Sequence, residues 1–254
     1  MATWQNLHDE LALWRADSVV PTFWWRDDDA TEPTPELDRL LKLSVTHGIP
    51  LHLAVIPHGA TQALADRLIH AEHVDTLQHG WAHLNHEPKG QGASEMGASR
   101  DLALQRVDLA RGWRRLSELN MPGLISGFAA PWNRVGPDTP ALLGDLGYTL
   151  LSTSLQRNHG HSVIGLRLVN VHADPIRWRN GAEFRGTSQF LACVLDHLRL
   201  RRQGQVDRAD PTGINTHHLE TNEEVWRFLD RFCEEVGQSV RWVRMRDLLA
   251  QEKS

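Results

Sequence analysis

Short apolar runs alternate with longer segments of helical spacing along most of the chain. Between residues 36 and 47, apolar residues recur at three- and four-residue intervals, which is typical of an amphipathic helix, and Gly48 follows as a stop signal. Residues 51–56 are continuously apolar and are closed by Pro57, as expected for a strand covered on both faces. The pattern therefore predicts strands that alternate with helices.

The same analysis of the whole sequence gives strands at 19–26, 51–56, 74–78, 123–129, 148–152, 166–171, 214–217 and 240–243. The predicted helices are 36–47, 62–71, 99–119, 137–146, 188–200 and 222–236. Thr221 is predicted to cap the last helix, with Glu224 at the capping-box position. Alternation of this kind in a chain of 254 residues favours an α/β fold with a parallel sheet, and seven or eight such units favour a closed or nearly closed barrel over an open sheet. We expect one domain over residues 1–254, with its motif-bearing core at about 20–245.

Composition excludes several classes of partner. The chain is 41% apolar and 23% charged with a formal net charge of −5, and charges of both signs are interspersed, so neither nucleic acid nor an anionic membrane surface is expected. No apolar run approaches the roughly 20 residues of a membrane span. The first residues lack the features of a signal peptide, and Cys193 and Cys233 imply no disulfide framework, so a cytoplasmic location is expected.

Polar side chains follow four of the predicted strands. They lie in the segments 26–30, 78–83, 128–133 and 214–220. In α/β barrels the chemistry is carried at the carboxyl ends of the strands, so we expect these segments to form one site.

His79 and His83 lie four residues apart in the second of these segments. If the chain turns helically there, the two imidazoles share one face about 5–6 Å apart, which suits a divalent ion. An Asp from another strand end would complete a set of two histidines and one carboxylate, with positions left for water and substrate. A surface or capping role is the alternative for the histidine pair taken alone.

Asp27, Asp28 and Asp29 end the first of these strands. Turn formation is one interpretation, because Asp side chains bond nearby backbone N–H groups. Metal binding is the other, because three adjacent carboxylates repel one another and a cation relieves that repulsion. The combination with the histidine pair favours the metal.

In their order and spacing, these segments resemble the motifs of the polysaccharide deacetylase family of carbohydrate esterases. The matches are Asp28-Asp29-Ala30 to the first motif, His79 and His83 to the second, Pro131-Trp132 to the third, and the strand 214–217 with its final His217 to the fifth. They cover residues from about 20 to 220. The runs 53–57 and 216–219 are similar to a divergent branch of the family. The family's domain is a distorted, incomplete β/α barrel, so the resemblance implies a distorted (β/α)7-type barrel.

The resemblance implies that Asp29, His79 and His83 bind one divalent ion, expected to be Zn²⁺. It implies that Asp28 is the general base. Asp27 takes the place of either neighbour if the register of the strand is shifted by one residue.

The same resemblance implies that His217 is the general acid that protonates the leaving amine. His218 is the alternative, because the register of this segment is open. The backbone N–H of Trp132 is implied to help stabilise the tetrahedral oxyanion.

Two positions depart from the family pattern. Ala129 stands where the third motif carries an Arg that holds the catalytic Asp. Arg26, which directly precedes the Asp triplet, supplies the missing charge in one interpretation and forms an ordinary structural ion pair in the other. The fourth motif is not clear, but residues 172–178 contain polar and aromatic groups, and Asp174 is a candidate substrate contact there.

Tryptophans lie beside the proposed site residues. The apolar face of a sugar ring stacks on such side chains, so Trp81 and Trp132, with Pro131, are candidate substrate contacts. Packing in the barrel is the alternative role for these tryptophans. Because side chains alternate along a strand, we expect the inward member of the pair Trp24 and Trp25 to be a packing residue.

The sequence therefore predicts a metal-dependent hydrolase that removes an N-acyl group, expected to be acetyl, from a carbohydrate or related small molecule. A sugar precursor or glycolipid intermediate fits the expected compartment better than a cell-wall polymer. The alternatives are hydrolysis of a non-sugar C–N amide bond, and a protein of the same fold that binds metal or sugar without turnover. A two-metal phosphohydrolase is disfavoured, because only one set of three ligands is found.

Overall fold

The structure is a computed structural model that describes residues 1–154, 165–179 and 181–251. Its strands are β1 (Thr22–Ala30), β2 (Leu51–Val55), β3 (Val74–His79), β4 (Leu124–Ala129), β5 (Leu150–Ser152), β6 (Arg167–Leu168), β7 (Ile176–Arg177), β8 (Glu183–Phe184), β9 (Thr212–Thr216) and β10 (Arg241–Trp242). Its α-helices are α1 (Trp4–Ala16), α2 (Pro35–His47), α3 (Gln62–Leu68), α4 (Leu102–Glu118), α5 (Thr139–Asp145), α6 (Thr187–Arg202), α7 (Glu223–Val236) and α8 (Met245–Gln251).

Seven parallel strands curl into a distorted barrel with helices between them. The order runs from β1 through β2, β3, β4 and β5 to β6, and β9 pairs with the other edge of β1. An isolated parallel bridge between Ala173 and Ile214 joins the segment after β6 to β9 and closes the ring. β10 adds a short parallel pairing at the start of β1, and β7 with β8 forms a separate antiparallel hairpin. The predicted α/β fold, a distorted (β/α)7-type barrel, is confirmed.

Helix α2 shows how local sequence signals produce these elements. The Thr34 side chain accepts a hydrogen bond from the Leu37 backbone N–H, Pro35 occupies the first turn, and the helix ends at Gly48 with φ 63°. These are the start and stop signals that a free helix end requires. The apolar face of the helix packs on the sheet, and every residue of the neighbouring strand β2 is buried.

Trp24 and Trp25 are both packing residues. Trp24 is 0% and Trp25 is 2% exposed. Each indole N–H has a partner, the carbonyl of Asn170 for Trp24 and the hydroxyl of Thr216 for Trp25. Both tryptophans are therefore packing residues, although the sequence predicted this only for the one that points inward. Helices cover the outer face of the barrel as well, so the outward side chain is also buried.

Several elements differ from the prediction. Strand β1 runs to Ala30 and so contains the Asp triplet, and helices α1 and α8 and the β7–β8 hairpin were not predicted. The N-cap of α7 is Asn222, whose side chain accepts from the backbone N–H groups of Glu224 and Val225. Thr221 was the wrong cap, because α7 begins one residue later than predicted, and the Thr221 hydroxyl donates to the carbonyl of His217 instead.

Two expectations concern the molecule as a whole. In the described ranges, no helix combines the length and apolarity that crossing a membrane requires. Cys193 lies in α6 and Cys233 in α7, and both are free thiols.

Candidate metal centre

A cavity of about 620 Å³ opens at the carboxyl ends of β1, β3 and β9. The residues that line it include Asp28, Asp29, His79, His83 and His217. Its volume lies within the range of small-molecule sites. The polar segments that the sequence places after separate strands thus contribute side chains to one cavity.

Asp29, His79 and His83 bring three ligand atoms together. Asp29 Oδ1 lies 3.3 Å from His79 Nε2 and 3.5 Å from His83 Nε2. Ligand atoms at bonds of about 2.1 Å around one tetrahedral ion lie about 3.4 Å apart. Asp29 Oδ1 is also buried without a hydrogen-bond partner. The three residues therefore fit a single divalent ion.

A hydrogen bond fixes the tautomer of His79. Its Nδ1 lies 3.0 Å from the carbonyl oxygen of Ala129, which only accepts, so Nδ1 carries the proton. Neutral His79 consequently points the lone pair of Nε2 towards Asp29. Metal-binding histidines are held in this way by a partner on the other ring nitrogen.

An irregularity in β1 directs two adjacent carboxylates into the cavity. Side chains normally alternate along a strand, which would place Asp28 opposite both Asp27 and Asp29. Asp29, however, has φ 75°, and the β1–β2 register shifts between Asp27 and Ala30. Asp28 and Asp29 therefore both line the cavity.

Strained backbone is concentrated around this cavity. Six described residues other than glycine have positive φ, and two of them, Ser18 and Asn120, lie outside the cavity. The other four are Asp29, His83, Trp132 and Asn133, with φ values of 75°, 54°, 52° and 57°. All four residues line the cavity. Such conformations cost on the order of 1–3 kcal/mol each and cluster at functional sites, where the surrounding structure holds them.

The turn that carries His83 is built on the buried side chain of Glu95. The Glu95 carboxylate accepts from the backbone N–H groups of Trp81, Ala82 and His83 at 3.0, 2.8 and 3.2 Å. Gly80 has φ 61°, and a Cβ there would lie 1.8 Å from Glu95 Oε2. The two histidine rings meet through this left-handed turn, and the helical turn considered from the sequence does not form.

Arg26 holds Asp28 from the same strand. Its Nε lies 2.8 Å from Asp28 Oδ1 and its Nη2 lies 2.8 Å from Asp28 Oδ2, an arrangement with two parallel contacts. Arg26 also donates to the side chains of Ser152, Asn133 and Asn215. Both members of the ion pair are buried, so the guanidinium is fully engaged within the barrel.

This ion pair sets the charge of Asp28. Burial by itself would raise the pKa of the carboxyl, but the positive charge of Arg26, with contributions from His79 and His217, outweighs burial and lowers the pKa on balance. Asp28 is therefore ionised at neutral pH and can accept a proton.

His217 lies between two carboxylates at the cavity. Its Nε2 is 3.7 Å from Asp28 Oδ2 and its Nδ1 is 3.6 Å from Asp174 Oδ2. The ring of Trp178 meets His217 edge-on at 4.6 Å, and the Trp178 indole N–H donates to Asp174. Burial raises the pKa of Asp174.

His218 and Asp27 lie elsewhere. His218 Nδ1 is 2.5 Å from Asp27 Oδ1, the Thr216 hydroxyl donates to the same carboxylate, and neither His218 nor Asp27 lines the cavity. The sequence left open the choice between His217 and His218, and the choice of two carboxylates from the Asp triplet. His217, Asp28 and Asp29 are the ones that line the cavity. Their catalytic and ligand roles stay predictions.

The predicted substrate contacts divide into two groups. Trp132 lines the cavity, with its ring 4.1 Å from that of His83. Trp81 does not line the cavity and packs against His58 at 5.2 Å and under the guanidinium of Arg111 at 4.1 Å. Of the other three predicted contacts, Asp174 lines the cavity. Pro131 and Arg26 are buried and do not line it.

A second group of possible ligands, His172, His197 and Asp210, does not fit a metal. The two imidazoles stack at 3.4 Å, and their Nε2 atoms lie 3.9 and 3.7 Å from Asp210 Oδ2. The backbone N–H of Gly213 donates to His172 Nδ1, so neutral His172 carries its proton on Nε2 and has no lone pair there for an ion. Burial, followed by the charge of His197, lowers the pKa of His172 well below its ordinary value and keeps it neutral.

Sequence reasoning missed several residues that shape the cavity. Asn133 lies in the polar segment after β4, and Asn215 lies in β9 within the polar segment 214–220, so their positions were a usable signal. Glu95 lies in a stretch without periodicity, and Ser152 is the last residue of a short strand. Nothing in the one-dimensional pattern marks these two.

No family model matches the sequence, and neither does any curated protein. The fold, in contrast, is similar to several solved structures. An allantoinase superimposes with a TM-score of 0.63 at 16% identity, covering 89% of this chain and 88% of that chain. A family 4 acetyl xylan esterase from Clostridium thermocellum, in complex with a cobalt ion, gives 0.54 at 13% identity, covering 91% and 92%. A family 4 pseudoenzyme from Bacillus anthracis gives 0.55 at 13% identity, covering 91% and 65%.

These similarities establish the fold. The resemblance that the motifs indicated, to polysaccharide deacetylases of carbohydrate esterase family 4, is confirmed as a structural match at low sequence identity. The similar structures include an esterase, an allantoinase and a pseudoenzyme, so activity has to be argued from the residues of the cavity.

Proposed function

We propose that this protein is a metal-dependent hydrolase that removes an N-acyl group, expected to be acetyl, from a carbohydrate or related small molecule. The observation that carries the proposal is the set of Asp29, His79 and His83 beside an ionised Asp28 and beside His217 in one cavity. Ligands, a proton acceptor and a proton donor are the parts that metal-assisted hydrolysis of an amide requires.

Asp29, His79 and His83 would hold the ion. A divalent ion there supplies Lewis acidity, which polarises the acyl carbonyl and lowers the pKa of water. Two imidazoles and one carboxylate suit zinc, which is the ion we propose.

Asp28 accepts the proton of the attacking water. Arg26 keeps this carboxylate ionised and fixes its orientation through two contacts. Position 129, where the family's third motif carries the corresponding Arg, is a buried Ala. Arg26 thus supplies the charge from β1 itself, and the departure from the family pattern does not remove the proton acceptor.

His217 protonates the leaving nitrogen. Asp174 lies next to its Nδ1, while Nε2 faces Asp28 and the cavity. We propose that the backbone N–H of Trp132 binds the developing oxyanion and that its ring contacts the substrate, since Trp132 lines the cavity.

A non-sugar amide is the second candidate substrate, favoured by the similarity of the fold to an allantoinase. A panel of N-acetylated sugars and cyclic amides separates the two. We place the substrate in the cytoplasm, because two free cysteines suit a reducing compartment.

Metal content and product release test the proposal together. We expect about one ion per wild-type chain by elemental analysis, loss of the ion in His79→Ala and Asp29→Ala, and retention in Asp28→Asn. Wild type should release acetate, and Asp28→Asn should not. The exposed His58, changed to Ala, is the matched control and should affect neither quantity.

A wild-type chain that cannot be loaded with any divalent ion at neutral pH would contradict the proposed mechanism. A loaded wild type that binds amino sugars yet releases no product would favour a binding protein without turnover.

A further inference from the structure

The charges around the cavity are unevenly matched. Each carboxylate that lines it has a described partner: Asp28 pairs with Arg26, Asp29 faces the two histidines, and Asp174 lies against His217. These carboxylates are therefore oriented towards Arg26, His217 and the proposed ion.

Two arginines that line the same cavity, Arg134 and Arg185, have no such partner. Arg134 donates to the carbonyl of Ala93, and Arg185 donates to the carbonyl of Ile176 and makes a long contact with the sulfur of Cys193. Within the described ranges, neither guanidinium lies within 4 Å of a carboxylate, although the charge of Arg185 acts on the nearby Asp174 and offsets part of the rise that burial causes in its pKa. Arg185 Nε is also buried and has no hydrogen-bond partner.

Arg185 lies close to the side of the cavity that carries His217, the proposed general acid. Its guanidinium bonds the carbonyl of Ile176, and the backbone N–H of Ile176 donates to Asp174, the residue that faces His217. Arg134 lies across Gly92, where a Cβ would come within 2.9 Å of the guanidinium carbon, and it borders the cavity next to Asn133. Both positions are fixed by packing and not by charge.

We propose that the substrate carries an anionic group, a carboxylate or a phosphate, that Arg185 binds on the leaving-nitrogen side with Arg134 at the rim. Guanidinium groups match the planar or tetrahedral oxygens of both anions with two parallel donors. The inference rests on the proposed function for its orientation of the substrate, but the anion site itself depends only on the two arginines.

Binding to the metal-loaded Asp28→Asn variant, measured by calorimetry, tests the inference without turnover. The probes are N-acetylglucosamine, N-acetylglucosamine 6-phosphate, N-acetylmuramic acid and inorganic phosphate. We expect at least one anionic sugar to bind about tenfold more tightly than the neutral one, and less so at high salt. Comparison of N-acetylglucosamine 6-phosphate with N-acetylmuramic acid shows whether the site prefers a phosphate or a carboxylate.

Substitution then assigns the preference. In the same background, Arg185→Gln should abolish it and Arg134→Gln should reduce it, whereas Arg227→Gln, an exposed position on α7, should leave it unchanged. Arg134 is exposed, so its variant remains informative if Arg185→Gln fails to fold. Equal binding of neutral and anionic sugars, no binding of any anionic probe, or a preference that survives both substitutions would overturn the inference.

Acetate release separates this inference from the proposed function. If an anionic probe binds selectively but the wild type releases acetate from none of the probes, the proposed hydrolase activity is contradicted and the proposed anion site is supported. Release from neutral N-acetylglucosamine without any anionic preference supports the hydrolase and removes the anion site.

Discussion

Arg26 and Asp28 form a buried ion pair whose two members have different tasks. Asp28 faces the cavity, whereas Arg26 acts on it through the side chains that it holds, Asp28 with Asn133 and Asn215, and is therefore a positioning residue. A guanidinium and an ammonium are not equivalent in this place, because only the guanidinium makes both contacts at once.

We predict that Arg26→Lys lowers kcat about 10- to 100-fold while the metal content stays unchanged. The ammonium keeps a positive charge but is shorter and cannot make both contacts with the carboxylate, so it lowers the pKa of Asp28 less than Arg26 does. The acidic limb of the kcat/KM profile should therefore move to higher pH. A purely structural role would lower the yield of folded enzyme and leave the pH profile in place. Steady-state kinetics over a pH range, with elemental analysis of each variant, makes the distinction.

Protons compete with the ion at the histidines. Burial alone would lower the pKa of His79, but Asp28 and Asp29 raise it on balance, whereas burial lowers the pKa of His83. Only the unprotonated Nε2 binds an ion, so the apparent affinity should fall as the pH drops from about 8 to about 5.

Equilibrium dialysis against a fixed zinc concentration measures this dependence. His197→Gln, in the group that does not fit a metal, should give the wild-type curve and the same stoichiometry. Metal content that is independent of pH, or that rises on acidification, would count against imidazole ligation.

At the scale of the element, the turn after β3 determines where His83 lies. Gly80 and Gly90 both have positive φ, at 61° and 92°, but a Cβ at Gly80 meets Glu95 whereas one at Gly90 meets nothing within 4 Å. Substitution of either glycine therefore carries the conformational cost of a side chain at positive φ, and only substitution of Gly80 adds a steric clash.

Gly90→Ala should cost about 1 kcal/mol of unfolding free energy. Gly80→Ala should cost more, about 2–4 kcal/mol, and should also reduce the metal content, because the three N–H groups bonded to Glu95 are displaced together with His83. Denaturant unfolding and elemental analysis of both variants provide the comparison. Equal effects of the two substitutions would show that Glu95 does not hold the turn.

Strand β1 shows what a sequence pattern can and cannot specify. The strand and the Asp triplet were both recognised, and the motif order correctly indicated the family fold. Strict alternation would nevertheless have separated Asp28 from Asp29, and the positive φ that unites them has no signature in a run of identical residues. Glu95 escaped for a related reason, since its partners are backbone N–H groups, which any sequence provides.

At the scale of the whole molecule, buried neutral histidines link stability to pH. His52 donates from Nδ1 to the carbonyl of Trp25 and accepts at Nε2 from the backbone N–H of Met245, so it connects β1, β2 and α8. Burial lowers its pKa to about 4. An unfolded chain binds the proton near pH 6.5, and the native protein resists it.

The stability contributed by this lowered pKa is fully present above about pH 6.5 and is lost as the pH falls towards about 4. The loss amounts to roughly 3 kcal/mol. His52→Gln, which can both donate and accept, should flatten the dependence of unfolding free energy on pH across this window. An unchanged slope would show that His52 is not responsible.

The bridge between Ala173 and Ile214 gives the barrel two unequal halves. The side with β1, β2 and β3 is built of longer strands, which are paired over several residues apart from the irregularity between Asp27 and Ala30, and it holds the residues proposed to bind the ion. The other side closes through two-residue β6 and one bridge, and it carries Asp174, Trp178 and Arg185. We expect mutations on the second side to reshape the end of the cavity that is proposed to hold the leaving group and to leave the proposed ion ligands in place. Under the proposed function, the region around this bridge is where evolution would exchange one substrate for another and keep the same reaction.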